Sequence, residues 1–468
     1  MKSMWVMGKS SLHWATGIRK LLKFLSLALF AFSLIHILLS LFFNLLPGDF
    51  EYKAFPLIAK FKMYPPNADM RWITSLSECG ADLKALAERH LWGCDPYGRG
   101  SGLGYPPMSV EIARFLHVKG SQTELISSAM GLANVCILCL LNFRVVNSPF
   151  LRYLTTSILL LSLPLNLGLE RGNIDIVIFN LFAAIAALAA LQKRVFEPMI
   201  SGFCWMAVAI KLYPFPGVIV WNFLEILRNR RFTSLYIAMV LGATLGLTSA
   251  LPWFLETGNT SAAQPGMGRI SHALMGDYAY IRNLAAEISS QQIPFTDSLS
   301  RYWGLLIYLG SIPIGIKLRL PRLFDHLINS FQSSFTRVFL HHFIGLTSST
   351  WLTTYALSGS FDYRMILALP GFSFLFGCAS RDLAKKRNKF PSFFLVLAIS
   401  FVLLNIIPLS MGLPHNPKIL EFTVNMSDYI FIPILAGMLT AMILPIHSHP
   451  ALRVSASMDN APEYAMLK

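Results

Sequence analysis

Three short polar segments lie beside long apolar stretches of this 468-residue chain. A carboxylate can remove a proton from a hydroxyl group, and lysine or arginine can bind an anion such as phosphate. Because ionisable groups at membrane depth cost free energy and often mark functional sites, the three segments are candidates for one reactive site. They are Glu170-Arg171-Gly172-Asn173-Ile174-Asp175, Lys211-Leu212-Tyr213-Pro214 and Phe361-Asp362-Tyr363-Arg364.

The same residues also have purely structural interpretations. Glu170, Arg171 and Asp175 could form an ion pair that closes a helix end. Lys211 and Arg364 could extend to the membrane interface while their aliphatic stems stay in the apolar layer. The sequence leaves both alternatives open.

The composition indicates a protein that crosses a membrane several times. Hydrophobic residues make up 54% of the chain and charged residues 13%, whereas soluble proteins carry about 25% charged residues. These values exclude an ordinary cytosolic enzyme, a disordered chain and a fibrous chain. The expected fold class is all-α, a polytopic helical membrane bundle that forms one domain over residues 1–468.

The apolar stretches predict about 12 crossings with both termini in the cytoplasm. Met199–Leu227 is interrupted at Lys211–Pro214 and has basic residues on both sides, so we expect a hairpin of two short helices with its tip near the outer face. The other stretches are Phe24–Leu46, Leu125–Leu141, Leu154–Leu169, Ile174–Leu191, Leu235–Phe254, Tyr302–Ile316, Val338–Leu357, Met365–Cys378, Phe393–Leu409 and Ile430–Ile446.

The net charge of +15 follows from this topology. Basic residues are concentrated in the short connections that the topology places in the cytoplasm, as the positive-inside rule requires. The charge therefore gives no support to a nucleic-acid partner.

Two long loops, residues 47–124 and 255–301, are predicted on the outer face, and residues 448–468 are expected to form a loose cytoplasmic tail. Residues 82–89 are typical of a short surface helix. The charged residues of both loops could line one cavity with the three polar segments. They are Asp49, Glu51, Asp69, Arg71, Asp82, Asp95 and Arg99 in the first loop, and Arg269, His272, Asp277 and Arg282 in the second.

Two of the six cysteines, Cys79 and Cys94, fall in the first outer loop. An oxidising compartment would let them form a disulfide, and two free thiols are the alternative. The remaining cysteines lie in predicted spans and are expected to pack as small apolar residues. These are Cys136, Cys139, Cys204 and Cys378.

No metal or cofactor site is predicted. His341 and His342 lie within a predicted span, and the sequence supplies no third metal ligand near them. A Gly-rich phosphate-binding loop is also absent from the sequence, so a bound nucleotide is not expected.

The order of several motifs resembles the C-type glycosyltransferase superfamily over roughly residues 20–380. Arg171-Gly172-Asn173 at the start of a span and Lys211-Leu212-Tyr213-Pro214 before an arginine-rich turn are similar to family 87, which includes polyprenyl-phosphate-mannose-dependent mannosyltransferases. Phe361-Asp362-Tyr363-Arg364 is similar to a late motif of that group. The first outer loop contributes Ala68-Asp69-Met70-Arg71, Cys94-Asp95-Pro96-Tyr97-Gly98-Arg99 and Tyr105-Pro106-Pro107.

This resemblance implies an inverting transfer of a mannose-like hexose, or a pentose, from a polyprenyl phosphate to a hydroxyl of a lipid or glycan acceptor. The reaction would occur at the outer face of the cell membrane, in the biosynthesis of envelope glycans. An aspartate of the first outer loop would act as the base, with Asp69 the first candidate, Asp49 the second and Asp82 the third. The candidates for substrate binding are Arg71, Asp95, Arg99, Arg171, Asn173, Lys211, Tyr213, His272, Asp362 and Arg364.

Other function classes remain in competition. A transporter or flippase of lipid-linked sugars would need a similar lipid-facing groove, although such proteins usually show internal repeats that this sequence lacks. A ligase that moves whole glycans from a lipid diphosphate would need more positive charge on the outer side. A structural scaffold would not need so many charged residues at membrane depth.

Overall fold

The structure is a computed structural model. It describes residues 2–43, 45, 67–79, 106–229, 233–257, 271–272, 294–357, 360–384 and 432–445. The predicted surface helix at 82–89, the apolar stretch Phe393–Leu409 and the C-terminal tail lie outside the described residues.

The described part of the chain is almost entirely helical, which confirms the all-α class. One antiparallel pair of two-residue strands, β1 (Ser271–His272) and β2 (Ser360–Phe361), precedes a 3₁₀ helix, Asp362–Ala368. The α-helices are α1 (Lys2–Phe43), α2 (Ala68–Glu78), α3 (Met108–Phe115), α4 (Thr123–Val145), α5 (Pro149–Leu160), α6 (Leu163–Arg171), α7 (Ile174–Ala190), α8 (Glu197–Ile210), α9 (Pro214–Asn229), α10 (Ser234–Thr257), α11 (Pro294–Lys317), α12 (Leu320–Asn329), α13 (Ser334–Leu357), α14 (Leu369–Ala384) and α15 (Ile432–Ile443).

Three of these helical regions are long and apolar enough to cross a membrane, namely Lys20–Phe42, Gly120–Val145 and Ser234–Pro252. Shorter apolar helices occur at Ile174–Ala190, Leu305–Lys317, Met365–Arg381 and Ile432–Ile443. A chain with several apolar helices of this length is a helical membrane protein.

One apolar stretch that was expected to form a single span is interrupted. Leu154–Leu169 divides into α5 and α6. Pro164 lies at the second position of α6. Proline has no N–H for the preceding turn, so it begins a new helix rather than continuing the old one. Met365–Cys378, in contrast, passes from 3₁₀ helix into α14 without a gap, within an apolar helix that extends to Arg381.

The apolar core is built around α7, α9 and α13. Phe179 of α7 and Phe343 of α13 are fully buried, and their rings meet edge to face with centroids 5.1 Å apart. Glycine lets the helices approach closely, because a Cβ on Gly217 of α9 would overlap the Cα of Thr350 in α13. Small residues at helix contacts are typical of membrane bundles.

Helices α8 and α9 form the expected hairpin. Ser234 at the start of α10 donates to Glu197 at the start of α8 over 2.5 Å, while Asn229 at the end of α9 contacts Tyr236 of α10 over 3.2 Å. The first residues of α8 and the last residues of α9 therefore lie at one end of the bundle. The tip at Lys211–Tyr213 lies at the other end.

Part of the first long loop forms a small apolar cluster on the ends of α7 and α8. Met70, Ile73 and Leu76 of α2 pack together with residues of α3. Ile174 at the start of α7 and Ile210 at the end of α8 complete the cluster. This packing brings the first turn of α2 to the α6–α7 junction.

Candidate functional site

Asp69 lies in the first turn of α2 and is 6% exposed. The Nη2 of Arg171 donates to its Oδ1 over 2.9 Å, and the Nδ2 of Asn173 donates to its Oδ2 over 2.6 Å. Each carboxylate oxygen therefore accepts one hydrogen bond from the α6–α7 junction. The carboxylate is held in place by a charge and by an amide.

The helix ends favour these charges. Asp69 lies at the N-terminus of α2 and Arg171 lies at the C-terminus of α6. A negative charge is stabilised near a helix N-terminus and a positive charge near a C-terminus. The ion pair between them therefore agrees with both helix dipoles.

A two-residue turn joins α6 to α7. Gly172 ends α6 with φ of 55° and ψ of 43°, a left-handed conformation that glycine adopts without steric cost. Asn173 then caps α7, and its Oδ1 accepts from the backbone N–H of Asp175 over 2.8 Å. The same side chain donates to Asp69, so helix capping fixes the amide that holds the carboxylate.

Asp175 forms a second ion pair with the tip of the α8–α9 hairpin. Its Oδ1 accepts from the Nζ of Lys211 and from the hydroxyl of Tyr213, each over 2.7 Å. The side chain of Asp175 is 1% exposed and that of Lys211 is 9% exposed. Lys211 therefore lies inside the protein rather than extending to the membrane interface.

These contacts form one hydrogen-bonded group, which we call the junction network. It joins the long loop 47–124, the α6–α7 junction and the hairpin tip, and its two carboxylates are matched by two cations. The members are Asp69, Arg171, Asn173, Asp175, Lys211 and Tyr213. Arg171 and Asp175 thus bind residues of other segments, so a local ion pair within the helix end does not describe their main contacts.

Arg71 is placed differently from the other candidates. Its Nη2 donates to the Oε1 of Glu124 in the first turn of α4, and the side chain is 37% exposed. This pair anchors α2 to α4 and does not include Asp69.

The late motif approaches the same region through its backbone. His272 in β1 pairs with Ser360 in β2, directly before Asp362. The 3₁₀ helix Asp362–Ala368 packs against α6, the helix that ends in Arg171. The side chains of His272, Asp362 and Arg364 lie outside the described residues, as do Asp49, Asp82, Asp95 and Arg99.

One buried residue near Asp69 was not among the sequence candidates. Asn67 directly precedes α2, has φ of 57° and ψ of 25°, and is fully buried. Only its position after two prolines hints at an unusual turn. Asp175 was noted in a charged segment but was not proposed to bind substrate.

A second polar cluster lies near the opposite end of α9. Glu225 binds Arg228, and its Oε2 lies 2.8 Å from the Nε2 of His341. The Nη2 of Arg228 also donates to the carbonyl of Ile443, the last residue of α15, over 3.0 Å. Glu225 lies near the end of the predicted stretch Met199–Leu227 and Arg228 directly follows that stretch, and both are buried because α13 and α15 pack over them.

His342 accepts from the indole N–H of Trp221 over 3.3 Å. No group of three or more histidine, cysteine or acidic side chains suited to a metal ion occurs among the residues that the structure describes.

Cys79, which follows α2, is disulfide-bonded. Cys94, its predicted partner, lies outside the described residues. The other described cysteines are not disulfide-bonded, and Cys204 and Cys378 are buried in the helix packing as expected. Cys136 is exposed on α4 and Cys139 is half-buried.

Comparisons with protein-family models, with curated proteins and with solved structures give no match for this chain.

Proposed function

We propose that this protein is a membrane glycosyltransferase that moves a mannose-like hexose, or a pentose, from a polyprenyl phosphate to an acceptor hydroxyl. The observation that carries the proposal is the buried carboxylate of Asp69. Asp69 belongs to the first long loop, and two residues of the α6–α7 junction, Arg171 and Asn173, donate hydrogen bonds to it. A carboxylate fixed in this way at the end of membrane helices can meet a lipid-linked substrate.

The reaction needs one base. The acceptor oxygen attacks the anomeric carbon of the donor sugar, the bond from that carbon to the phosphate oxygen breaks, and polyprenyl phosphate leaves. Asp69 takes the proton of the acceptor hydroxyl as the new bond forms. Because a carboxylate has about four acceptor positions, the bonds from Arg171 and Asn173 leave it able to accept that proton.

The leaving phosphate needs cations. Arginine carries five N–H donors and lysine three, so Arg171 and Lys211 can bind phosphate oxygens as well as their carboxylate partners. Positive groups aimed at the charge that develops on the leaving group lower the barrier to transfer. Asp175 and Tyr213 position the Lys211 ammonium for this role.

We place the network on the non-cytoplasmic side of the cell membrane, in a chain with about 12 crossings and cytoplasmic termini. The hairpin geometry supports this placement. Exposed Arg194 lies three residues before the start of α8, at the end of the bundle opposite Lys211. Basic residues outside the apolar layer favour the cytoplasmic face.

A flippase of lipid-linked sugars is the second candidate. It is favoured by the cluster of Glu225, Arg228 and His341, because buried charges inside a helical bundle often mark a transport path. A flippase would depend on this cluster and would not need Asp69 as a base. Loss of lipid movement in Glu225→Gln, with no sugar transfer by the unaltered protein, would favour this candidate.

The enzyme proposal is tested by a transfer assay with purified protein in lipid vesicles. The donors are radiolabelled polyprenyl-phosphate mannose, other hexoses and pentoses, and a lipid extract of the host supplies acceptors. We expect label to move to a new product. Saturable binding of the lipid donor without transfer would contradict the enzyme and favour the flippase.

A further inference from the structure

Asn67 carries a buried amide that has no hydrogen-bonding partner among the described residues. The residue is fully buried, and neither its Oδ1 nor its Nδ2 has a hydrogen-bonding partner within the part of the chain that the structure describes. A carboxamide offers two N–H donors and an acceptor oxygen. Nearly all buried polar groups in proteins are paired, so an unpaired amide at this position needs an explanation.

The backbone of Asn67 favours its residue type but does not use its amide. Its φ of 57° is left-handed, a conformation that asparagine adopts more often than most residues other than glycine. A residue before a helix usually has an extended conformation and uses its side chain to cap the helix, but the Asn67 side chain makes no capping bond. Neither the backbone conformation nor helix capping therefore gives the amide a partner.

The amide lies beside the groups that hold the proposed base. A Cβ built on Gly172 would lie 3.1 Å from the Oδ1 of Asn67 and 3.1 Å from its Cα. Gly172 is the residue between Arg171 and Asn173, both of which bind Asp69. Asn67 thus borders the junction network from the same loop as the base.

Resting on the proposed function, we infer that the Asn67 amide binds hydroxyl groups of a glycan acceptor and so orients the reacting hydroxyl toward Asp69. A sugar hydroxyl both donates and accepts, and two neighbouring hydroxyls match the oxygen and the N–H groups of one amide. The acceptor, rather than the donor sugar, is the partner because its hydroxyl must reach the base. An acceptor with a single isolated hydroxyl, such as a simple lipid alcohol, would leave the amide partly unpaired.

The variant that tests this inference is Asn67→Gly. Glycine adopts the left-handed conformation without steric cost, so this variant removes the amide and keeps the backbone. We expect unchanged or higher thermal stability, a rise of about tenfold in KM for the acceptor, and an unchanged KM for the donor. Asn67→Asp, which keeps the shape but loses the two donors, should show the same acceptor-specific loss.

Asn134→Ala provides the matched control. Asn134 is also fully buried, and its amide has no hydrogen-bonding partner within the described ranges. It lies in α4, about 10 Å along the helix from Ser127, which borders Gly172. Its replacement should change stability and leave both KM values unaltered.

The acceptor for these measurements is the glycolipid that becomes labelled in the transfer assay, together with monodeoxy analogues of its terminal sugar. The unaltered protein should discriminate against at least one analogue, and Asn67→Gly should not. If sugar transfer occurs but Asn67→Gly keeps the acceptor KM, or if the labelled acceptor is an alcohol without a sugar, the inference is wrong and the enzyme stands. If the unaltered protein transfers no sugar, the enzyme and the inference both fail.

Discussion

The Nη2 of Arg171 donates to the Oδ1 of Asp69 over 2.9 Å, although the two residues are 102 positions apart in the chain. One belongs to the end of α6 and the other to a long loop. The loop carboxylate is thereby fixed against the bundle. Asn173 donates a second hydrogen bond, to the Oδ2 of Asp69, so the orientation of the carboxylate is fixed.

Gly172 should be intolerant of a side chain. A Cβ added to Gly172 would lie 2.6 Å from the Oγ of Ser127, and the substituted residue would have to keep a backbone φ of 55°. We expect Gly172→Ala to lower the free energy of unfolding by about 2 kcal/mol, since left-handed backbone alone costs about 1–2 kcal/mol in other residues. Transfer activity should fall as well, because Arg171 and Asn173 flank the glycine. Thermal unfolding in detergent measures the first effect.

Gly202→Ala is the control for that substitution. Gly202 lies inside α8, and a Cβ added to it would have no other atom within 4 Å among the described residues. Alanine should be neutral there or stabilise the helix by up to about 1 kcal/mol. Equal losses in the two alanine variants would contradict the role given to the Gly172 turn.

The ion pair between Lys211 and Asp175 should show strong energetic coupling. Lys211→Met leaves a buried carboxylate without its cation, which we expect to cost about 3 kcal/mol or more. Adding Asp175→Asn should recover most of that loss, because the uncompensated charge is removed. A double-mutant cycle on the free energy of unfolding measures the coupling, and additive single effects would argue against it.

Some of this arrangement could be predicted from sequence and some could not. The hydropathy of the sequence is sufficient to locate apolar helices such as α7. A proline such as Pro164 marks the boundary between two helices only when it is known to lie in the first turn of the second helix. The pairing of Asp69 with Arg171 could not be predicted in this way. Their charges identify both residues as candidates for the site but do not specify which residue each one binds. Asn67 has no chemical signature at all, because its significance lies in its backbone conformation and its unpaired amide.

The first outer loop should depend on a disulfide. Cys79 is disulfide-bonded and Cys94 is its predicted partner. Closing a loop of about 15 residues contributes about 3 kcal/mol in the chain-entropy model. We therefore expect Cys94→Ser to lower the melting temperature, whereas Cys136→Ser, at a free thiol, should leave it unchanged. A linked pair of peptides under non-reducing conditions would identify the bridge directly.

The proposed topology predicts opposite labelling of two exposed sites. Val195 before α8 is 72% exposed and Phe115 at the end of α3 is 82% exposed. In intact cells, a membrane-impermeant maleimide should label Phe115→Cys and should label Val195→Cys only after permeabilisation. The unaltered protein gives the background from its own thiols. The reverse pattern would place the junction network on the cytoplasmic side.

Sugar transfer by Asp69→Asn decides whether Asp69 is the base. The amide keeps the size of the side chain but cannot take a proton, so we expect the transfer rate to fall by about 10²-fold or more, while donor binding persists. Glu111→Gln is the control, since Glu111 is an acidic residue of the same loop that pairs locally with Arg114. Loss of transfer in Asp69→Asn with normal activity in Glu111→Gln is the result we predict. Undiminished transfer by a folded Asp69→Asn protein would show that Asp69 is not the base.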